Sequence, residues 1–197
     1  MTHLSPRGAT LADGPIQEFA ILRFVKATTD DSSMPVFLKD VAELCSLAST
    51  DGKQSNMFAV LRNVARPDTY LLTGVWSSLD AHHAWIASDK NKALLARMPN
   101  EGAEILAFFH FASPHDRLPA WLQQGSAKIL CRTAITSQEN NNTSQNGSIC
   151  ETGGWRVEAS DDTNKDMWVR MVKVNSEETP CIDQEPCNGD WALLTQK

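Results

Sequence analysis

Hydrophobic periodicity alternates between strand-like and helix-like stretches throughout residues 16–112. The segment IQEFAILRFVK (16–26) is rich in β-branched and aromatic residues, whereas MPVFLKDVAELCSLAS (34–49) repeats its apolar residues at helical spacing. The strand-like segments MFAVLRNVA and TYLLTGVWSS follow, then a helical stretch and the strand-like EILAFFHFA. The order strand, helix, strand, strand, helix, strand is typical of the split β-α-β, ferredoxin-like unit. We therefore predict an α+β fold with a ferredoxin-like domain at residues 15–113.

Residues 114–197 follow a different pattern, with no clear helix apart from the short LPAWLQQ. Strand-like stretches lie at 126–137, 153–160, 167–174 and 190–197. A ferredoxin-like sheet leaves one face bare, and a second sheet usually covers that face and closes a barrel. The second sheet comes either from a partner chain, in a homodimer, or from the same chain, in an internal pseudo-dimer.

The C-terminal part is accordingly open to two interpretations. It is a degenerate second copy of the first unit or a β-rich extension laid over the first sheet, and the missing helices favour the extension. Residues 1–14, rich in Gly, Pro and Thr, are predicted to form a flexible tail.

Composition narrows the range of partners. A net charge of −6 and the lack of long basic runs argue against nucleic-acid binding, which depends on clustered Lys and Arg. No stretch approaches the roughly 20 apolar residues of a membrane-spanning helix, and the first residues lack the apolar core of a signal peptide. The five cysteines show no close pairing typical of a disulfide framework or zinc site. A cytoplasmic protein that acts on a small molecule is expected.

Three segments, YLLTGVWSS, LDAHHAWIASDKNKALLARM and ILAFFHF, resemble in this order the dimeric α/β-barrel superfamily. The similarity is to its antibiotic-biosynthesis monooxygenase-like branch of fungal and bacterial secondary metabolism, and it covers the first 112 residues. It implies a barrel with a hydrophobic cavity, often without metal, flavin or haem. Members act as oxygenases on polyketide or other secondary-metabolite intermediates, and relatives include small cyclases.

The residues depart from the pattern of that family at two places. The family's third strand commonly ends in a Glu-x-Trp-like pattern, followed by a helix in which a histidine is frequent. Trp76 is present here, but Gly74 occupies the position of the acid, and no histidine lies near residues 89–91.

Alternation along the strands selects the candidate site residues. Tyr70 and Trp76 share one strand face, and Phe108 and His110 share another. If both faces point away from the helices, they line one chamber with an aromatic wall and one imidazole. His110 is either a hydrogen-bonded core histidine or a general base or acid, and it is the first catalytic candidate.

His83 is the second catalytic candidate. The adjacent His82 and His83 diverge by about 100° on a helix, so at most one of them faces the cavity. Asn63 and Arg23 are polar residues within strand patterns and are predicted to orient a carbonyl or carboxylate of the substrate. No HExxH or His-x-His spacing and no nucleotide-binding motif occurs, so neither a metal nor a cofactor is predicted.

Three functions fit these features. The first is a cofactor-independent cyclase that closes a ring in a polyketide or terpenoid chain, by an aldol-type or pericyclic (Diels-Alder) step, mainly through restriction of conformers. The second is a cofactor-free monooxygenase that deprotonates an anthrone or phenol and allows the carbanion to react with oxygen. The third is a non-catalytic binding protein whose C-terminal strands fill the barrel. The sequence favours the cyclase, because the acid of the family pattern is missing.

Overall fold

A computed structural model describes most of the N-terminal unit and the strands of the C-terminal part. The described residues are 14–25, 34–49, 58–113, 115–123, 126–134, 151–155, 157, 166–173 and 189–193. The predicted tail, apart from Gly14, therefore lies outside the described residues.

The N-terminal unit follows the predicted β-α-β-β-α-β order. Its elements are β1 (Ile16–Phe24), α1 (Val36–Ser49), β2 (Phe58–Asn63), β3 (Thr69–Trp76), α2 (Leu79–Ala87), α3 (Asp89–Glu101) and β4 (Ala103–Ala112). The fold is mixed α+β, and its four antiparallel strands and their helices are compatible with a ferredoxin-like unit.

The second helical element differs from the single helix predicted, because it is broken at Ser88. The Ser88 N–H donates to the Trp85 carbonyl and ends α2, while the Ser88 hydroxyl accepts from the Asn91 N–H and begins α3. At its other end α3 stops at Gly102, whose φ of 67° is a left-handed conformation favoured by glycine. The break turns the chain between the two helices.

Four further strands complete the sheet. They are β5 (Ser126–Ala134), β6 (Glu151–Trp155), β7 (Asp166–Lys173) and β8 (Gly189–Leu193), and a 3₁₀ helix, Ala120–Gln123, precedes β5. Each strand coincides with a strand-like stretch of the sequence, within a few residues. β8 pairs with β2 on one side and with β5 on the other, so the two parts share one sheet.

The strand order of this sheet is β4-β1-β3-β2-β8-β5-β7-β6. Within the first half the strands lie in the order fourth, first, third, second along the chain (β4-β1-β3-β2). The second half, β8-β5-β7-β6, has the same order when its strands are counted from β5. The two edge strands of this order are β4 and β6. The Val157 N–H, two residues after β6, donates to the His110 carbonyl of β4 at 2.7 Å, so the two edges approach each other.

The central strand β1 is buried on both faces. One face carries Glu18 and Ala20 toward the helices, and the other carries Gln17 and Phe19 toward the C-terminal part. Gln17 Nε2 lies 3.6 Å from Met171 Sδ on β7, and Phe19 stacks on Phe109 with 4.9 Å between ring centroids. The core therefore lies on both sides of the N-terminal sheet.

Candidate functional site

A carboxylate lies inside the apolar strand β1. Glu18 is 4% exposed, and its backbone faces Gly74 on β3 and His110 on β4. Its side chain points toward the helices, because its carboxylate lies 3.2 Å from His82 Nε2 on α2. A buried carboxylate is costly unless neighbouring groups donate hydrogen bonds or carry positive charge.

Trp76 supplies one of these donors. Its Nε1–H donates to Glu18 Oε2 at 2.7 Å, and the indole is fully buried. The indole is held on two sides, by the edge of Phe58 with centroids 5.6 Å apart and by the stacked Trp85 at 6.3 Å. Trp76 is therefore both a core residue and the orienting partner of the carboxylate.

His82 brings an imidazole from α2 to the same oxygen. Ser78 caps the helix by accepting from the Ala81 N–H, which fixes where α2 begins, and His82 and Trp85 are its buried residues. His82 Nε2 lies 3.2 Å from Glu18 Oε2, and its side chain is 2% exposed. Its ring also lies against Trp76, with 4.6 Å between centroids.

His110 completes the group from β4. Its ring meets that of His82 edge-on, with centroids 4.5 Å apart, and the residue is 2% exposed. Phe108 lies beside both imidazoles, at 5.7 Å from His82 and 5.2 Å from His110, yet it is 43% exposed. Phe108 thus extends from the cluster of Glu18, His82 and His110 to the solvent-exposed surface.

The environment shifts the protonation of the carboxyl group. Burial raises the pKa of Glu18 to about 7, against the smaller lowering effects of the Trp76 hydrogen bond and the charge of His110. Nearby, burial raises the pKa of the Cys45 thiol well above its ordinary value, and the charge of Glu18 adds to this effect. Shifted carboxyl groups of this kind are frequent at functional sites.

The cluster also has the composition of a metal-binding site. One donor atom from each of Glu18, His82 and His110 can be chosen so that all three lie within 4.8 Å of one another. Two imidazoles and a carboxylate are ligands that transition metals accept.

The structure gives a steric reason for the glycine at position 74. A Cβ at Gly74 would lie 2.3 Å from ring atoms of Phe58, so no larger residue fits there unless Phe58 moves. Glu18, the residue opposite Gly74 on β1, supplies the carboxylate that accepts from Trp76. The carboxylate that accepts the hydrogen bond of Trp76 on β3 therefore lies on the neighbouring strand β1.

Three of the predicted site residues come together, but on the other side of the sheet. Trp76, Phe108 and His110 lie near one another, as predicted, through their contacts with His82. The sequence placed them in one chamber only on the condition that both strand faces point away from the helices, and that condition does not hold, because all three contact His82 of α2. The site therefore lies between the sheet and its helices.

The structure places His83 outside this cluster. Its neighbour His82 occupies the inward side of α2, and the turn of about 100° per residue leaves His83 exposed.

Three other predicted site residues lie away from the cluster, near the opposite ends of the strands: Tyr70, Asn63 and Arg23. Tyr70 is six residues from Trp76 along β3, or roughly 20 Å at about 3.3 Å per residue, and it packs edge-on against Phe24. Asn63 Oδ1 accepts from the N–H groups of Ala65 and Arg66, which is a turn-forming role.

Arg23 forms an ion pair with Glu104 across β1 and β4, and both side chains are partly exposed. None of these three polar or aromatic residues contacts the Glu18, His82 and His110 cluster in the contacts described.

The sequence analysis missed Glu18 and His82. The signal for Glu18 was present in IQEFAIL, where two polar residues interrupt an apolar strand that must be buried. For His82 the signal was the phase of the helix, since Trp85 lies three residues later and large apolar residues mark the inward face.

Comparison with known proteins adds a similarity of fold. A crystal structure described as that of an anthrone oxidase-like protein matches with a TM-score of 0.52 and 9% sequence identity, covering 94% of this chain and 93% of that chain. No family model and no curated protein matches the sequence. Within the described ranges, no helix is both long enough and apolar enough to cross a bilayer.

Proposed function

We propose that this chain oxidises a hydrophobic aromatic substrate that loses a proton readily, of the anthrone or phenol type, with molecular oxygen. The observation that carries the proposal is the buried cluster of Glu18, His82 and His110 beside Trp76 and Phe108. Aromatic side chains suit a flat apolar substrate, and the cluster provides groups at which the substrate can be ionised.

For an anthrone-type substrate the reaction balances with oxygen as the oxidant. The CH₂ group of the substrate and one O₂ give a carbonyl group and one H₂O. Loss of a proton from the CH₂ group produces the electron-rich carbanion that reacts with oxygen. A buried site favours this step, because it holds the flat substrate beside the proton-accepting groups and keeps bulk water away.

The structural similarity supports this reading over cyclisation. The similar structure is described as an anthrone oxidase-like protein, and the similarity extends over nearly the whole of both chains. At 9% identity the likeness is one of fold, so the substrate class assigned to this chain remains our proposal. The cyclase favoured by the sequence gains no support from the comparison.

The test is oxygen consumption with anthrone and hydroxylated anthrones. We expect the enzyme to take up one O₂ per substrate and to form the anthraquinone faster than the uncatalysed reaction in air. We expect His110→Ala to lower the rate by about 100-fold, the lower end for loss of an acid or base group. His83→Ala is the matched control, because this exposed histidine lies outside the cluster, and its rate should equal that of the wild type.

Other outcomes would identify a different function. Product formation that continues under argon without a change of mass would indicate a cyclase or isomerase and contradict the oxidation. Saturable substrate binding without turnover would indicate the non-catalytic binding protein.

We further infer that residues 114–197 are a degenerate second ferredoxin-like unit that closes a barrel with the first. Two observations support this inference: the repeated strand order in the two halves and the Val157 to His110 hydrogen bond that links the two ends of the sheet. The chain would then supply by itself the sheet that a partner supplies in a homodimer. Light scattering after size-exclusion chromatography should give the mass of one chain, 21.7 kDa; a stable dimer would contradict the inference.

A further inference from the structure

We propose that Glu18, His82 and His110 are the protein ligands of one divalent transition-metal ion. The three residues come from β1, α2 and β4, and the fold alone brings them together. This explains why no metal-binding motif is visible in the sequence, since such motifs require ligands close together along the chain.

The separations of the donor atoms fit this role. Two donor atoms that each lie about 2.1 Å from one ion, nearly at right angles, are about 3 Å apart. Glu18 Oε2 and His82 Nε2 are 3.2 Å apart. The donor atoms of all three residues fall within 4.8 Å, so a modest inward movement of side chains is enough for all three to reach one ion.

The surroundings support the three residues as ligands. The indole N–H of Trp76 donates to Glu18 Oε2 and fixes the orientation of the carboxylate. Hydrogen bonds from outside the ligand set have this function in metal sites and commonly contribute 10–100-fold to affinity. Trp85 and Phe58 in turn pack against the indole, so the support of the carboxylate is itself held in place.

A metal ion also offers a physical reason for burying the carboxylate. An isolated buried carboxylate is strongly disfavoured, because it loses its hydration. Neutral imidazoles carry no positive charge that would compensate for that loss. A bound dication offsets the loss of hydration of Glu18 through direct coordination.

The donor set indicates the class of metal. Two histidines and one carboxylate on one side of an ion leave open positions for substrate or oxygen, an arrangement typical of non-haem Fe(II) oxygenases. Zn(II) accepts the same ligands. Ca²⁺ and Mg²⁺ prefer oxygen ligands and are not expected to bind.

The inference goes beyond the proposed oxidation and does not depend on it. The oxidation requires only that the substrate is ionised at the cluster, either by a side chain or by an ion that would bind the substrate's oxygen and make the substrate more acidic. Metal binding is therefore measured without substrate, and the activity of the stripped protein is measured separately.

The experiment uses the untagged full chain, stripped with a chelator and dialysed. Co(II), Fe(II) under argon and Zn(II) are each titrated, with Co(II) followed by visible absorption and all three by metal analysis after gel filtration. We expect one equivalent per chain. Glu18→Gln, His82→Ala and His110→Ala should each weaken binding at least about 100-fold, because even outer partners commonly contribute 10–100-fold.

His83→Ala is the matched control and should bind like the wild type, because its exposed imidazole neighbours His82 in sequence but not in the cluster. Trp76→Phe should bind about 10–100-fold more weakly with the same stoichiometry. X-ray absorption of the wild-type Co(II) complex should give two imidazole ligands, a result that does not depend on whether a variant folds. Failure to retain any of the three metals, or equal binding by the double variant His82→Ala/His110→Ala, would overturn the proposal.

Discussion

At the scale of single residues, the placement of Glu18 depends on the smallest residue of the sheet. Gly74 lies opposite Glu18, and the ring of Phe58 occupies the space that a side chain at position 74 would need. The same ring packs against Trp76, which holds the carboxylate. A change at position 74 is therefore transmitted to Glu18 through Phe58 and Trp76.

The substitution Gly74→Ala should destabilise the protein. The new Cβ would meet Phe58 at 2.3 Å, and overpacking of a core costs about 1–3 kcal/mol. Thermal unfolding measures the effect, and the double variant Gly74→Ala/Phe58→Leu should recover much of the loss, because the smaller side chain makes room. Equal stability of Gly74→Ala and wild type would show that Phe58 does not occupy this position.

Burial also controls the reactivity of the Cys45 thiol. The thiol is buried, and burial raises its pKa well above the ordinary value. The thiolate is the reactive form, so Cys45 should resist alkylation at pH 8 in the native state and react once the chain unfolds. Mass spectrometry of labelled peptides separates Cys45 from the other cysteines.

The raised pKa of Cys45 also determines how the stability of the folded state changes with pH. The folded state keeps the thiol protonated to a higher pH than the unfolded state does. Stability from this group is therefore present below the unfolded pKa, near 8.5, and decreases as pH rises above it. Rapid labelling of native Cys45 at pH 8 would contradict the burial of this side chain.

At the scale of elements, the break at Ser88 separates the helix that carries His82 from α3. Ser88 ends α2 through its N–H and begins α3 through its hydroxyl. The break allows α2 to follow the end of β3 closely while α3 returns to β4.

Ser88→Ala should lower the melting temperature modestly. Loss of an N-cap oxygen costs about 1 kcal/mol, or roughly 2–4 °C for a chain of this size. Ser88→Asp is the matched control and should retain most of the stability, because aspartate also caps helices. A loss in Ser88→Asp as large as that in Ser88→Ala would indicate that the hydroxyl does not act as a cap.

The elements were more predictable than the site. The eight strands in the described part of the chain overlap stretches whose alternation or β-branched content was visible in the sequence, because strand periodicity is local. The face on which Trp76 and His110 lie was not predictable in the same way, since it depends on which side of the sheet the helices pack. The choice between His82 and His83 depended on helix phase, and Glu18 became meaningful only once β1 was paired with β3 and β4.

At the scale of the whole molecule, the N-terminal unit depends on the C-terminal part for its second face. Phe19, Phe109 and Phe111 are buried on that face, where Gln17 contacts Met171 of the C-terminal part. Removal of the C-terminal part would expose a contiguous apolar surface, which soluble monomers rarely tolerate.

A fragment of residues 1–113 should therefore fail to behave as a stable monomer. We expect self-association in light scattering and strong binding of a hydrophobic dye, in contrast to the full chain. The full chain under the same conditions is the control. A fragment that is monomeric and unfolds cooperatively would show that the first unit is independent of the second.

The hydrogen bond from the Val157 amide to the His110 carbonyl limits how freely the two parts of this chain can be recombined. His110 contributes its imidazole to the cluster, and its backbone carbonyl is bound by the C-terminal part. A chimera that joined this N-terminal unit to the C-terminal half of another protein would have to reproduce that backbone contact as well as the pairing of β2 with β8. The cluster is thus encoded in the first 112 residues, but its geometry is a joint property of both halves.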